Sequence, residues 1–185
     1  KPGLWNTRND LLASALVGAS TDAQRGTDVA IGKALGWVVA QQKENGAIFS
    51  SPGHVTYETS AAISALAVAR RPEHRQAQAR ARDFLPASQI AAEKDDPSYG
   101  GFPYVSKTPQ PADLSNLQFA VDALARGELP ADSPVWQRVQ SYLKRVQNWS
   151  ETNTRALEMP GEKEGEKRTV VSGDDGGAGY GPGMS

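Results

Sequence analysis

The chain has 185 residues, a length that suits one domain by default. With 38% apolar residues, counted without its 18 glycines, it can build an ordinary core, so wholesale disorder is excluded. Lys and Arg number 20 against 21 Asp and Glu, so no global field draws the chain to nucleic acid or to an anionic membrane; no apolar run reaches the roughly 18 residues of a spanning helix, and the absence of cysteine removes disulfides, thiolate zinc sites and thiol nucleophiles.

The chain begins at Lys1 rather than Met, which suits a mature protein after signal cleavage and leans towards a periplasmic or extracytoplasmic location. Asp10 to Leu16 ends in Ala15-Leu16, a partial match to segments further on, and Leu4, Trp5, Leu11, Leu12, Leu16 and Val17 do not form the polar cap that an array end needs. Ile31, Leu35, Val38, Val39 and Gln42 then follow helical spacing. The Ala-rich stretch from Thr59 to Val68 reads as a helix packed closely between neighbours. Arg70, Arg71, Arg75, Arg80 and Arg82 mark a charged helix, either a solvated face or a seat for an acidic partner. Its apolar positions Ala77, Ala81, Phe84 and Leu85 keep the helical period until Pro86, which kinks or ends it.

Asp113 caps a helix whose stripe is Leu117, Ala120, Val121 and Leu124, and Ser133-Pro134 opens another over Val135, Val139, Tyr142, Leu143 and Val146. The segment 151–173 carries Gly161-Glu162-Lys163-Glu164-Gly165-Glu166-Lys167-Arg168, whose alternating charge buries nothing and predicts a mobile charged loop. Helices are expected throughout, with essentially no sheet.

One pattern recurs three times. Trp37-Val38 precedes Gln42, Phe84-Leu85 precedes Gln89, and Tyr142-Leu143 precedes Gln147, each at the same spacing. A glycine turn with an aromatic three residues on follows each Gln: Gly46 to Phe49, Gly101 to Tyr104, Gly177 to Tyr180. After the first two turns comes a small-residue helix ending in Ala-Leu, at Ala65-Leu66 and Ala123-Leu124. Small-residue helices read as inner and charged ones as outer.

These aromatic, Gln and Gly-x-x-aromatic units resemble the QW-type repeats of the terpenoid cyclase and protein prenyltransferase superfamily. Tyr99-Gly100-Gly101-Phe102 and the segment Asp113 to Ala120 are similar to bacterial prenyltransferase and squalene oxidase repeat proteins. The resemblance implies an all-α chain, a partial α/α toroid supplying about three of the roughly six hairpins of a ring, as one domain over 1–185. It also implies that Gln42, Gln89 and Gln147 tie an outer helix end to a neighbouring turn, since an amide both donates to orphan carbonyls and accepts from a turn N–H.

The chemistry of that superfamily does not transfer. Asp174-Asp175 and Asp95-Asp96 lack the Asp-x-Asp-Asp context of the cyclases and suit turns. His54 and His74 have no ligand-like spacing to a carboxylate pair, no Asp-Asp-x-x-Asp occurs, and neither a Gly-x-Ser-x-Gly elbow nor a Ser-x-x-Lys motif is present. We therefore assign no catalytic residue, metal or cofactor. Tyr57, Glu58, Asp113, Asn116 and Gln118, at the inner-helix starts that line the cavity in the resembled family, are the candidate ligand residues, with helix capping as the competing role for Asp113 and Asn116.

Two functions fit. The first is a non-catalytic binding or structural subunit that uses the arc as an interaction surface. The second is the N-terminal half of an isoprenoid-handling enzyme whose catalytic residues lie elsewhere. The first is preferred, with another protein chain or a missing C-terminal half of the toroid as partner.

Overall fold

The computed structural model describes residues 25–105, 111–154 and 156–182, so the readings made on Leu4, Trp5 and the Asp10 to Val17 stretch lie outside the described residues. Among the described residues the fold is mostly helical: α1 (Arg25–Ala40), α2 (Val55–Ala69), α3 (Arg75–Phe84), α4 (Leu114–Arg126) and α5 (Pro134–Val146). None of them is long and apolar enough to cross a membrane. Contacts divide the chain into two units. One takes the described residues up to 88 together with 104–105 and 118–131; the other takes 89–103, 111–117 and those from 132 onward. Helix α4 gives its first turn to the second unit and the rest to the first.

In the first unit α2 is the central element. Thr56, Thr59, Ser60, Ala61, Ala62, Ile63, Ala65 and Leu66 are all buried, which is why small residues run round most of its circumference. Thr59 Oγ1 bonds both the N–H and the carbonyl of Ile48 at 3.1 Å, and Ser60 Oγ bonds the Thr56 carbonyl at 2.8 Å, so these two hydroxyls are satisfied without water, whereas the buried Thr56 Oγ1 has no partner among the described residues. Against α2 pack α1, through Ile31, Leu35 and Val38, and α3, which buries only Ala77 and Ala81. As Pro86 foretells, the α-helical part of α3 ends at Phe84 and passes into a 3-10 turn over Leu85–Ser88.

In the second unit α5 begins as expected. The Ser133 side chain accepts from the Val135 N–H, Pro134 fills the first turn, and Val135, Val139, Tyr142 and Val146 are buried on one face. The Tyr142 hydroxyl donates to the Ala112 carbonyl at 2.9 Å. Gly101 lies so close under the same ring that a Cβ there would meet Tyr142 at 2.8 Å.

The segment 151–173, read as a charged loop, corrects the expectation of a chain with essentially no sheet. It contains an antiparallel hairpin of β1 (Leu157–Pro160) and β2 (Lys167–Val170), in register Leu157 with Val170 and Pro160 with Lys167. Two features that net charge hides explain it. Leu157 and Met159 alternate with more exposed residues, giving period-two burial. Gly165 takes φ 81° in the connecting loop, and across the strands the Thr169 hydroxyl bonds Glu158 at 2.6 Å.

Candidate functional site

The residues expected at the inner-helix starts fall into separate places. Tyr57, at the start of α2, is half-buried and packs edge-on against Phe119 with centroids 4.5 Å apart; partial burial, then the nearby Tyr104 phenol, raise its pKa. Glu58 is buried and closes the preceding turn, one oxygen accepting from the Ser50 N–H at 2.6 Å and from its hydroxyl at 2.9 Å. In the second unit, Asp113 accepts from the Asn116 N–H at 2.8 Å and from its side-chain amide at 2.9 Å, which is the capping role. Gln118 is exposed. The structure thus brings Asp113 and Asn116 together as a cap and leaves Gln118 apart.

The three repeated turns share one hydrogen-bond frame. The N–H after each Gln donates into the turn: Lys43 to the Ala47 carbonyl, Ile90 to Gly101 and Asn148 to Gly177, at 2.8, 3.0 and 2.7 Å. A glycine N–H donates back, from Gly46, Gly100 and Gly176, at 3.0, 2.7 and 3.0 Å. These three glycines have φ 93°, 90° and 73°. In the second and third turns the bonding register is therefore one residue ahead of the Gly101 and Gly177 singled out by the aromatic spacing.

In the first two turns the Gln side chain clamps a helix. Gln42 Nε2 donates to the Gly46 carbonyl at 3.0 Å and to the Ala77 carbonyl of α3 at 2.8 Å. Gln89 Nε2 donates to the Gly100 carbonyl at 2.9 Å and to the Val135 carbonyl of α5 at 3.2 Å, while its oxygen accepts from Arg138 Nε at 2.6 Å. Gln147 departs from the expectation: it is exposed, and its amide donates to nothing among the described residues. Only its backbone joins the turn, in a bridge to Ala178, because no described helix stands where α3 and α5 stand in the other two.

Of the five arginines read as one charged face, three are engaged in the first unit. Arg71 pairs with Asp28, Arg80 donates to the Glu44 carbonyl at 2.7 Å, and Arg82 bonds Asp83 at 2.8 Å and the Gly127 carbonyl at 3.2 Å. Arg70 and Arg75 have no side-chain partner among the described residues. Both line a cleft of about 1000 Å³, with Gln78 and Arg82 on the same face of α3 and with Arg126 and Glu128 at the end of α4. Arg126 is held by Asp122 at 2.7 Å. Of these four guanidiniums, Arg82 and Arg126 are paired with Asp83 and Asp122, and Glu128 adds a further carboxylate to the wall.

The backbone of this cleft is unusual too. Arg70 and Glu128, the two non-glycine residues with positive φ among those described, at 51° and 61°, both belong to its wall. Arg70 ends α2 in the left-handed conformation that glycine adopts most easily, and its N–H closes onto the Leu66 carbonyl. The Arg-rich run hinted at this site; Arg126 and Glu128, far off in sequence, could not be added without the fold.

Elsewhere, Asp174 sits in a turn, its carboxylate accepting from the Ser150 N–H at 2.8 Å; the bonds to Ser150 hold its pKa below the usual value. Among the described residues no three His, Asp or Glu side chains converge in a cation-binding arrangement. The chain matches no family model and no curated protein.

Proposed function

We propose that the chain is a binding subunit, an arc of prenyltransferase-like and squalene-cyclase-like helical repeats, and that the arginine-lined cleft seats an acidic segment of a protein partner. The observation that carries this reading is the pair Arg70 and Arg75, two guanidiniums with no carboxylate partner among the described residues, in a cleft of about 1000 Å³ that holds two further arginines and Glu128. A concave wall with an excess of one charge concentrates field, and a guanidinium offers a planar fork that matches a carboxylate. The left-handed Arg70 supports the same reading, because glycine would suit that backbone better and only the side chain rewards arginine there. The clamped turns at Gln42 and Gln89 support the repeat architecture.

The test is fluorescence anisotropy with a labelled hexaglutamate and, as control, hexaglutamine. Hexaglutamate should bind and weaken with salt, and replacing Arg70 and Arg75 together by Glu should cost at least about tenfold, or ~1.4 kcal/mol. Arg70→Gly should weaken binding while raising stability by up to ~1 kcal/mol, because it relieves the left-handed backbone. Equal affinity for both peptides, or affinity unchanged in the double variant, would refute the reading.

A further inference from the structure

Among the described residues the first two of these turns hold a helix and the third does not, although all three share the same pair of backbone hydrogen bonds. A Cβ on Gly46 would strike the Arg80 carbonyl and one on Gly100 would strike the Arg138 carbonyl, whereas a Cβ on Gly176 would meet nothing within 4 Å. Gly46 and Gly100 are buried and Gly176 is exposed; two residues further on, Ile48 and Phe102 are buried and Ala178 is exposed. Together with the idle amide of Gln147, these are the contact surfaces of a helix seat that no helix fills among the described residues.

The two filled seats define what fits. Each takes a residue whose carbonyl accepts from the Gln amide, Ala77 or Val135, followed three residues later by an arginine, Arg80 or Arg138, whose backbone rests on the glycine and whose side chain bonds the turn or its Gln. Each acceptor precedes the Gln of its own helix by the same interval, Ala77 before Gln89 and Val135 before Gln147. Counting that interval back from Gln42 gives Ala30, with the cationic Lys33 three residues on. Ala30 and Lys33 are exposed on α1, and neighbouring Val29 is 59% exposed. Within four residues of Gln147, Trp149 and Leu143 are 44% and 43% exposed. Glu151 is also there, bonded to the Trp149 indole and without a cationic partner among the described residues, and so is available to Lys33.

We propose that α1 of a second copy occupies this seat, with Gln147 Nε2 donating to the Ala30 carbonyl and Lys33 lying over Gly176 towards Glu151. The association is head-to-tail, using one surface from each copy. It does not depend on the arginine cleft.

Light scattering and sedimentation over about a hundredfold range of concentration should show mass rising above that of a single chain. Ala178→Arg, which obstructs the seat, and Ala30→Arg, which obstructs the helix, should each weaken association at least about tenfold with unchanged circular dichroism. Mixing the two variants should restore a dimer and nothing larger, because one contributes an intact helix and the other an intact seat. A wild-type chain that stays monomeric overturns the proposal, as does association that survives both substitutions or that mixing fails to restore.

Discussion

Gln42, Gln89 and Gln147 have the same local sequence setting and three different fates, so their energetic contributions should diverge. Removing the Gln89 side chain strips two buried backbone carbonyls of a donor and leaves the half-buried Arg138 without the oxygen it bonds at 2.6 Å. Orphaned buried polar groups cost about 1–3 kcal/mol each, with partial relief from relaxation, so Gln89→Ala should lower stability by ~2–4 kcal/mol. Gln147→Ala removes an exposed side chain with no donor bond and should stay within about 0.5 kcal/mol of wild type at low protein concentration. Urea denaturation of both variants checks the contrast. A large loss for Gln147→Ala at dilution would mean that this amide has a partner within its own chain.

At the scale of elements, the seat between a turn and a helix is what distinguishes the repeats. Gly100 combines φ 90° with direct approach to the Arg138 backbone, so Gly100→Ala adds both strain and a clash that only movement of α5 can relieve. A loss of at least ~3 kcal/mol is expected, in the range of severe overpacking. Gly176 has the strain of φ 73° without the clash, and its alanine variant should lose only about 1 kcal/mol. Thermal melts of the two variants measure the difference; equal losses would show that α5 does not press on the Gly100 turn. The hairpin of β1 and β2 is the element that sequence reasoning missed. Net charge dominated the reading of 161–168, whereas alternating burial and a left-handed Gly165 decide the local structure.

For the molecule as a whole, alkaline stability should be limited by Tyr142. Burial, then the Asp113 carboxylate and the Tyr180 phenol, push its pKa far above the ordinary 10.0, so the folded chain keeps the proton that the unfolded chain releases. With the folded value raised, the stabilisation is complete below the unfolded pKa and falls as pH rises through 10 and beyond. Denaturation midpoints measured between about pH 8 and 11 should therefore drop at the alkaline end, and less so in Tyr142→Phe. That variant should itself cost ~0.5–1.5 kcal/mol at neutral pH, through loss of the bond to the Ala112 carbonyl. An unchanged alkaline drop in Tyr142→Phe would assign the effect to other groups.

Local chemistry alone determined much of this protein. Apolar spacing located α1, α4 and α5; Ser133-Pro134 and Asp113 fixed helix starts; Pro86 ended α3; and the recurrence of Gln with a glycine marked three turns that share one pair of backbone hydrogen bonds. Each of these depends on neighbours within a few residues, where period, capping and φ preference act. Tertiary structure decided which glycine in the first two turns bears the helix, that Arg70 and Arg75 share a cleft with Arg126, and that among the described residues no helix meets Gln147 while α3 and α5 meet Gln42 and Gln89. Those outcomes join residues tens of positions apart, and identical local sequence leaves them open, because a Gln amide becomes a clamp only when a second helix brings a carbonyl within its reach.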